Sequence, residues 1–170
     1  AGDLNAGFCR RVVGGRPLVR LKLAATLDGR TAANDGSSQW ITCEEARADV
    51  HQLRARSCAI VTGIGTVRED DPRLNARIDG QVVQPLRVVL DGNGQLDPGA
   101  RLFSETGDIL IVTSREDDEG FDFDARTEQI CLTGEDGRVD IAAVLDLLAE
   151  RSCNEILVEA GAGVAGAFVS

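Results

Sequence analysis

An α/β fold built on a mostly parallel central sheet flanked by helices is predicted by three observations. Apolar runs of strand length recur along the chain, helical patterns stand between them, and the unusual polar and glycine residues gather where those runs end. The runs at 58–62, 86–90 and 109–113 are largely apolar, as strands covered on both faces are. At 170 residues and 43% hydrophobic, the chain can bury one sizeable core.

The first strand is marked by Val19, Leu21 and Leu23 alternating with Arg20, Lys22 and Ala24. Lys22 is thereby set on one face of rigid backbone, and the chain turns at Asp28-Gly29. Trp40 follows Ser37, Ser38 and Gln39 in a loop entered through Asn34, Asp35 and Gly36, where no core awaits an indole. It is expected to face a ligand or to pack beneath one. Thr42 and Glu45 have the spacing of a capping box that opens a helix over 42–56. Ala46, Val50 and Leu53 form its predicted buried stripe, and Arg47, His51 and Arg54 a neighbouring polar one, with His51 read as a surface residue.

The strand at 58–62 then runs into Gly63-Ile64-Gly65-Thr66, a glycine turn whose backbone N–H groups suit a phosphate. A short helix at 67–69 and a loop at Asp71-Pro72 follow. Strands are expected at 86–90, 109–113 and 129–132, separated by polar loops at 91–99 and 114–124. A helix at 140–150 carries Ile141, Val144, Leu145 and Leu148 on one side. The last strand, 155–158, ends in Glu159 and glycines, after which another helix begins. Asp28, residues 63–66, Asp91 and residues 159–163 all fall at the carboxyl ends of strands, where parallel sheets bind their ligands in one cleft.

Composition removes several classes. With 28 acidic against 18 basic residues the net charge is −10, which argues against nucleic acid or an anionic membrane as the main partner. An anionic ligand must be met by local arginines. Cys9, Cys43, Cys58, Cys131 and Cys153 are far apart with no C-x-x-C, so no metal site is expected. They read as packed free thiols, Cys58 and Cys131 buried, in a reducing compartment. A lone histidine with no nucleophile motif makes a hydrolytic triad a poor reading. No apolar run nears the ~20 residues of a membrane span, so a soluble, cytoplasmic protein is expected. Gly161-Ala162-Gly163-Val164-Ala165-Gly166 satisfies G-x-G-x-x-G, yet it lies at the far end of the sequence from the first strand-helix turn where a Rossmann fingerprint belongs. Its glycines still bring backbone donors close to a pyrophosphate or ribose.

LKLAATLDGRTA, GSSQWIT, LRARS-AIVTGIGTVREDDPRLNAR, PLRVVLD and ILVEAGAGVAGAF, in that order, resemble the reductase domain of the bifunctional riboflavin-biosynthesis deaminase/reductase. LNAGFCRRVVGGRP resembles the segment joining its two domains. The resemblance implies a dihydrofolate-reductase-like fold with its C-terminal strands missing. It also implies residues 1–16 as a linker from an absent N-terminal deaminase domain, and 17–170 as the reductase domain. The implied reaction is NADPH-dependent reduction of 5-amino-6-(5-phosphoribosylamino)uracil at the ribosyl C1′. Ser38, Arg54, Leu74, Arg77 and Glu159 are implied for the substrate. Ala24, Trp40, Thr66, Asp70 and Gly161, Ala162, Gly163, Val164, Ala165, Gly166 and Ala167 are implied for the cofactor. Lys22 and Glu159 are the candidates for substrate orientation and proton delivery, and a homo-oligomer is implied.

Plain alternatives stand beside these roles. Arg54 can be a solvated helix-end cation, Trp40 a core residue, Asp70 a turn residue, and Lys22 with Glu159 an ion pair across adjacent strands. Gly92 stands where the family often has serine, and the zinc signature of the deaminase is absent. Two other functions remain open: a different pterin or pyrimidine reductase of the same fold, or a non-catalytic nucleotide-binding module.

Overall fold

The computed structural model describes residues 3–33, 40–115 and 123–169. Six parallel strands form one sheet: β1 (Leu18–Lys22), β2 (Ala59–Gly63), β3 (Leu86–Leu90), β4 (Ile109–Thr113), β5 (Thr127–Cys131) and β6 (Glu155–Glu159), in the order β1-β6-β2-β3-β4-β5. Five helices accompany them: α1 (Ala6–Gly14), α2 (Glu44–Arg56), α3 (Ile64–Asp70), α4 (Ile141–Glu150) and α5 (Ala162–Val169). The α/β class and the parallel sheet are as expected from the apolar runs. Strands β3 and β4 occupy the predicted residues, and α1 lies within the segment read as a linker.

The last strand returns to lie between the first two. Leu18 of β1 is in register with Glu155 of β6, and Ala59 of β2 with Ile156. The strand order therefore reverses direction at β6, and in parallel sheets such a reversal marks where ligands bind, outside the carboxyl ends of the neighbouring strands.

Alternation along the strands divides the core in two. Val61, Val88, Leu110, Val112, Ile156 and Val158 pack on one face with Val144 and Leu148 of α4. Val89, Ile109 and Ile111 pack on the other face with Val67 of α3, Leu96 and Leu102. Lys22 and Glu159 stand opposite each other in the parallel register of β1 and β6, so their side chains leave the same face of the sheet.

Several local expectations are corrected. Cys43, in extended conformation, is the N-cap residue of α2 and makes no side-chain cap bond, so the Thr42 capping box does not form. Glu44 and Glu45 instead place acidic charge in the first turn, where the helix dipole favours it. No residue of α2 is fully buried: Ala46 is exposed, whereas Val50, Leu53, Arg47, His51 and Arg54 are all half-buried. The polar stripe is thus as covered as the apolar one, because it faces other polar side chains rather than water. Leu23 lies beyond the end of β1 and is exposed. Cys58 and Cys131 are only half-buried, and Cys153 is the buried thiol.

Candidate functional site

At the end of β6, the Glu159 carboxylate accepts two parallel hydrogen bonds from Arg54 of α2, at 2.6 Å from Nε and 2.9 Å from Nη2. Both side chains are almost covered, at 13% and 10% exposure, so the pair acts in a medium that screens it weakly. A solvated helix-end cation is therefore not what Arg54 is. The Arg54 Nη1 also donates to the Asn75 carbonyl at 3.1 Å. Thr62 of β2 donates its hydroxyl to the Glu159 carbonyl at 2.7 Å, fixing the strand end from the other side.

Lys22 lies across from Glu159 in the register, but the carboxylate's ion pair is with Arg54. Among the described residues the Lys22 side chain makes no hydrogen bond or ion pair, so the cross-strand ion pair weighed above does not form.

The loop after α3 completes this side of the crevice. Asp71 terminates α3 in the left-handed region (φ 39°), with its N–H on the Val67 carbonyl at 3.0 Å. Leu74 is also left-handed (φ 51°) although it is neither glycine nor asparagine and is only 2% exposed. Such backbone costs about 1 kcal/mol or more and persists where surrounding contacts impose it. Here it turns Asn75 so that its carbonyl meets Arg54, its Oδ1 accepts from Arg77 at 3.0 Å, and its Nδ2 donates to Glu105 at 2.8 Å. What Leu74 contributes is this backbone turn, its side chain being buried.

Arg77 also approaches His51, its backbone N–H lying 3.2 Å from Nδ1 and its Nη2 3.0 Å from Nε2. Burial first, and then the nearby Arg54 and Arg73 cations, lower the pKa of Arg77 from its ordinary value. Beside the Arg54–Glu159 pair, Arg77 thus adds a cation with no ion-paired carboxylate among the described residues. Burial, followed by Arg54 and Arg77, likewise lowers the His51 pKa. His51 is therefore not the surface residue that helical spacing suggested. A histidine and an arginine on one polar stripe were visible in the sequence, but their partners in the loop after α3, Arg77 for His51 and the Asn75 carbonyl for Arg54, were not.

The cofactor candidates lie on neighbouring elements. Ala24 follows β1, Thr66 is half-buried in α3, and Asp70 is the exposed last residue of that helix. Trp40 is 71% exposed, with the Arg47 guanidinium 4.4 Å from its ring centroid, so it is no core residue. Ser38, with Ser37 and Gln39, lies outside the described residues.

The two glycine segments meet. A Cβ on Gly63 would stand 2.7 Å from the Val164 Cγ2, so glycine at the end of β2 lets α5 sit against it. At Gly161 and Gly163, by contrast, a Cβ would meet nothing. Neither glycine has the positive φ that would require it, and the space before them is open. No part of the chain occupies that space, so the backbone at the start of α5 is open to approach from outside.

Asp91 was also expected at the crevice. It is wholly buried, its Oδ2 accepting from the Leu96 N–H at 2.7 Å, and it holds a loop instead. Gly92 is covered by Ser114, whose hydroxyl donates to the Gly92 carbonyl at 2.9 Å. Arg87 was missed as a polar core residue: it is 1% exposed within β3 and donates to the carbonyls of Leu102, Glu105, Thr106 and Gly107.

A family model described as the RibD C-terminal domain matches residues 17–170. The riboflavin biosynthesis protein RibD of Escherichia coli is 38% identical over 181 residues, covering 99% of this chain and 49% of that protein. RibD of Haemophilus influenzae is 38% identical, covering 99% of this chain and 48% of its own length. This chain thus spans about half the length of these curated relatives. The Thermotoga maritima diaminohydroxyphosphoribosylaminopyrimidine deaminase/5-amino-6-(5-phosphoribosylamino)uracil reductase superposes with a TM-score of 0.85 at 34% identity, over 99% of this chain and 46% of that one. The riboflavin biosynthesis reductase Rib7 of Saccharomyces cerevisiae, at 21% identity over 95% of this chain and 74% of its own, shares the fold with a TM-score of 0.69. With the family model over residues 17–170 and these relatives along nearly its whole length, the chain is a member of the RibD C-terminal domain family.

Proposed function

We propose that this chain carries the NADPH-dependent reduction of 5-amino-6-(5-phosphoribosylamino)uracil to its ribitylamino product. The observation that carries the reading is the convergence of Lys22, Arg54, Arg77 and Glu159 on one crevice in a member of this family. The substrate phosphate is assigned to Arg54 and Arg77, since a dianion needs local cations in a chain of net charge −10. Ser38 and the backbone at Leu74 belong to the same substrate grip.

NADPH supplies a hydride when bound. Ala24, Trp40, Thr66, Asp70 and residues 161–167 are the groups assigned to hold it, the open faces of Gly161 and Gly163 leaving room for its phosphates. The hydride is accepted at C1′ of the open-chain ribosyl group, and the heteroatom at that carbon takes a proton. Lys22 is assigned the proton, because it alone of the two candidates is uncommitted among the described residues. Glu159, held by Arg54, is assigned to position the substrate end.

Within this reading a deaminase domain precedes residue 17 in the parent polypeptide, the assembly is a homo-oligomer, and the protein works in the cytoplasm. Among the described residues no helix is long and apolar enough to cross a membrane. The test is NADPH oxidation followed at 340 nm with the phosphoribosylaminouracil and with dihydrofolate in parallel. Oxidation with the first alone is expected; oxidation with dihydrofolate alone would move the chain to another reductase activity, and NADPH binding without turnover of either would leave a binding module.

A further inference from the structure

His51 is the chain's one histidine, and both its ring nitrogens face the same arginine: Nδ1 lies 3.2 Å from the Arg77 backbone N–H, and Nε2 lies 3.0 Å from the Arg77 Nη2. An arginine offers only donors. A neutral imidazole has one accepting nitrogen, so it can satisfy only one of these two approaches. The second becomes favourable when the Arg77 guanidinium has another acceptor to turn to.

The charges around the ring are few. Arg54 stands nearly one turn further along α2, Arg77 comes from the loop after α3, and Glu159 comes from the end of β6, already paired with Arg54. The Asn75 backbone is the remaining polar neighbour, and it favours a protonated ring. With the crevice empty of anions, burial and the two guanidiniums oppose protonation of His51. A bound dianion reverses the sign of that field.

We propose that His51 is a third member of the anion site formed by Arg54 and Arg77, a positioning residue that takes up a proton when a tetrahedral dianion binds between the two guanidiniums. The inference rests on the assignment of those arginines to the substrate phosphate. On anion binding, the Arg77 guanidinium moves from Nε2 to the ligand, and the protonated ring donates from the nitrogen so released. Protonated Nδ1 turns from the Arg77 backbone N–H to the Asn75 carbonyl, and Nε2 donates to the anion. Substrate affinity should accordingly depend on pH near neutrality, beyond the phosphate's own titration.

Because the histidine is unique, its ring protons give an unambiguous NMR titration in the full chain. Sulfate is the probe, since it remains a dianion throughout pH 5 to 8. The midpoint is expected below the ordinary ~6.5 without sulfate and higher by about half a pH unit at saturation, equivalent to about threefold tighter sulfate binding at pH 5.5 than at pH 8. Arg77→Gln should raise the midpoint in the free chain and abolish the sulfate response. Should that variant not fold, His51→Asn provides the second measurement: its sulfate affinity should be flat with pH where the wild type's is not. A midpoint unmoved by saturating sulfate, an equal response in Arg77→Gln, or an unchanged pH dependence in His51→Asn would each overturn the inference. Turnover of the phosphoribosylaminouracil without a His51 response sinks this inference and spares the reductase reading; a His51 response without turnover does the reverse.

Discussion

Lys22 and Glu159 show how adjacency differs from pairing. Parallel register sets them side by side, yet the carboxylate is taken by Arg54, whose planar fork can make two parallel bonds where an ammonium makes a point contact. Lys22→Ala should therefore leave the fold nearly untouched and cut turnover by about 10²-fold, with NADPH affinity measured by fluorescence unchanged. Unaltered turnover would remove Lys22 from the chemistry. Glu159→Gln is a different kind of change, because it strands the covered Arg54 cation. Its expected cost is about 3 kcal/mol in urea unfolding, together with a raised KM for the phosphoribosyl substrate. His51 gives a pH test of the same neighbourhood. Its folded pKa lies below its unfolded value, so below pH ~6.5 the unfolded chain binds more protons and stability falls. The melting temperature should drop between pH 7 and 5.5 in the wild type by more than in His51→Asn, the difference isolating this one group. Equal slopes would show that the ring is not held in its neutral form.

At the scale of elements, the central strands were legible because burial on both faces writes a largely apolar run, unbroken at 109–113 and interrupted at 86–90 only by Arg87. What sequence could not give was polar burial. Arg87 sits inside one of those runs, and nothing local announces that its guanidinium will collect four carbonyls from residues 102–107. The same blindness placed His51 on the surface, since a helical stripe of Arg47, His51 and Arg54 looks solvated until the partners on other elements are known. Arg87→Leu is expected to lower stability by about 3 kcal/mol or more, because the turn at Arg101–Ser104 and the chain that follows lose donors that water cannot replace. Thermal unfolding measures it. A loss under 1 kcal/mol would mean that the carbonyls find solvent, and that Arg87 tethers nothing.

For the whole molecule, the decisive step is the return of β6 between β1 and β2, because it sets Glu159 beside Lys22 and within reach of Arg54, and Gly63 against Val164, from both ends of the chain. The family blocks pointed to these residues one by one; their grouping follows from the strand order, which no local pattern contains. The glycines there fall into two kinds, and this distinction yields a test. Gly63 is required by the chain itself, since a methyl group would press on Val164, a β-branched side chain with little freedom to move aside. Gly63→Ala should therefore destabilise the protein by about 1 kcal/mol or more. Gly163 meets no part of the chain and lies within α5, so Gly163→Ala should leave stability unchanged or raise it by about 0.5 kcal/mol through helix propensity. If the open space before Gly163 is where a dinucleotide lies, the same methyl group must obstruct it, and the NADPH dissociation constant should rise about tenfold or more while the melting temperature holds. A variant that keeps both its stability and its NADPH affinity would place the cofactor away from Gly163, because a methyl group on that open face would then have obstructed nothing.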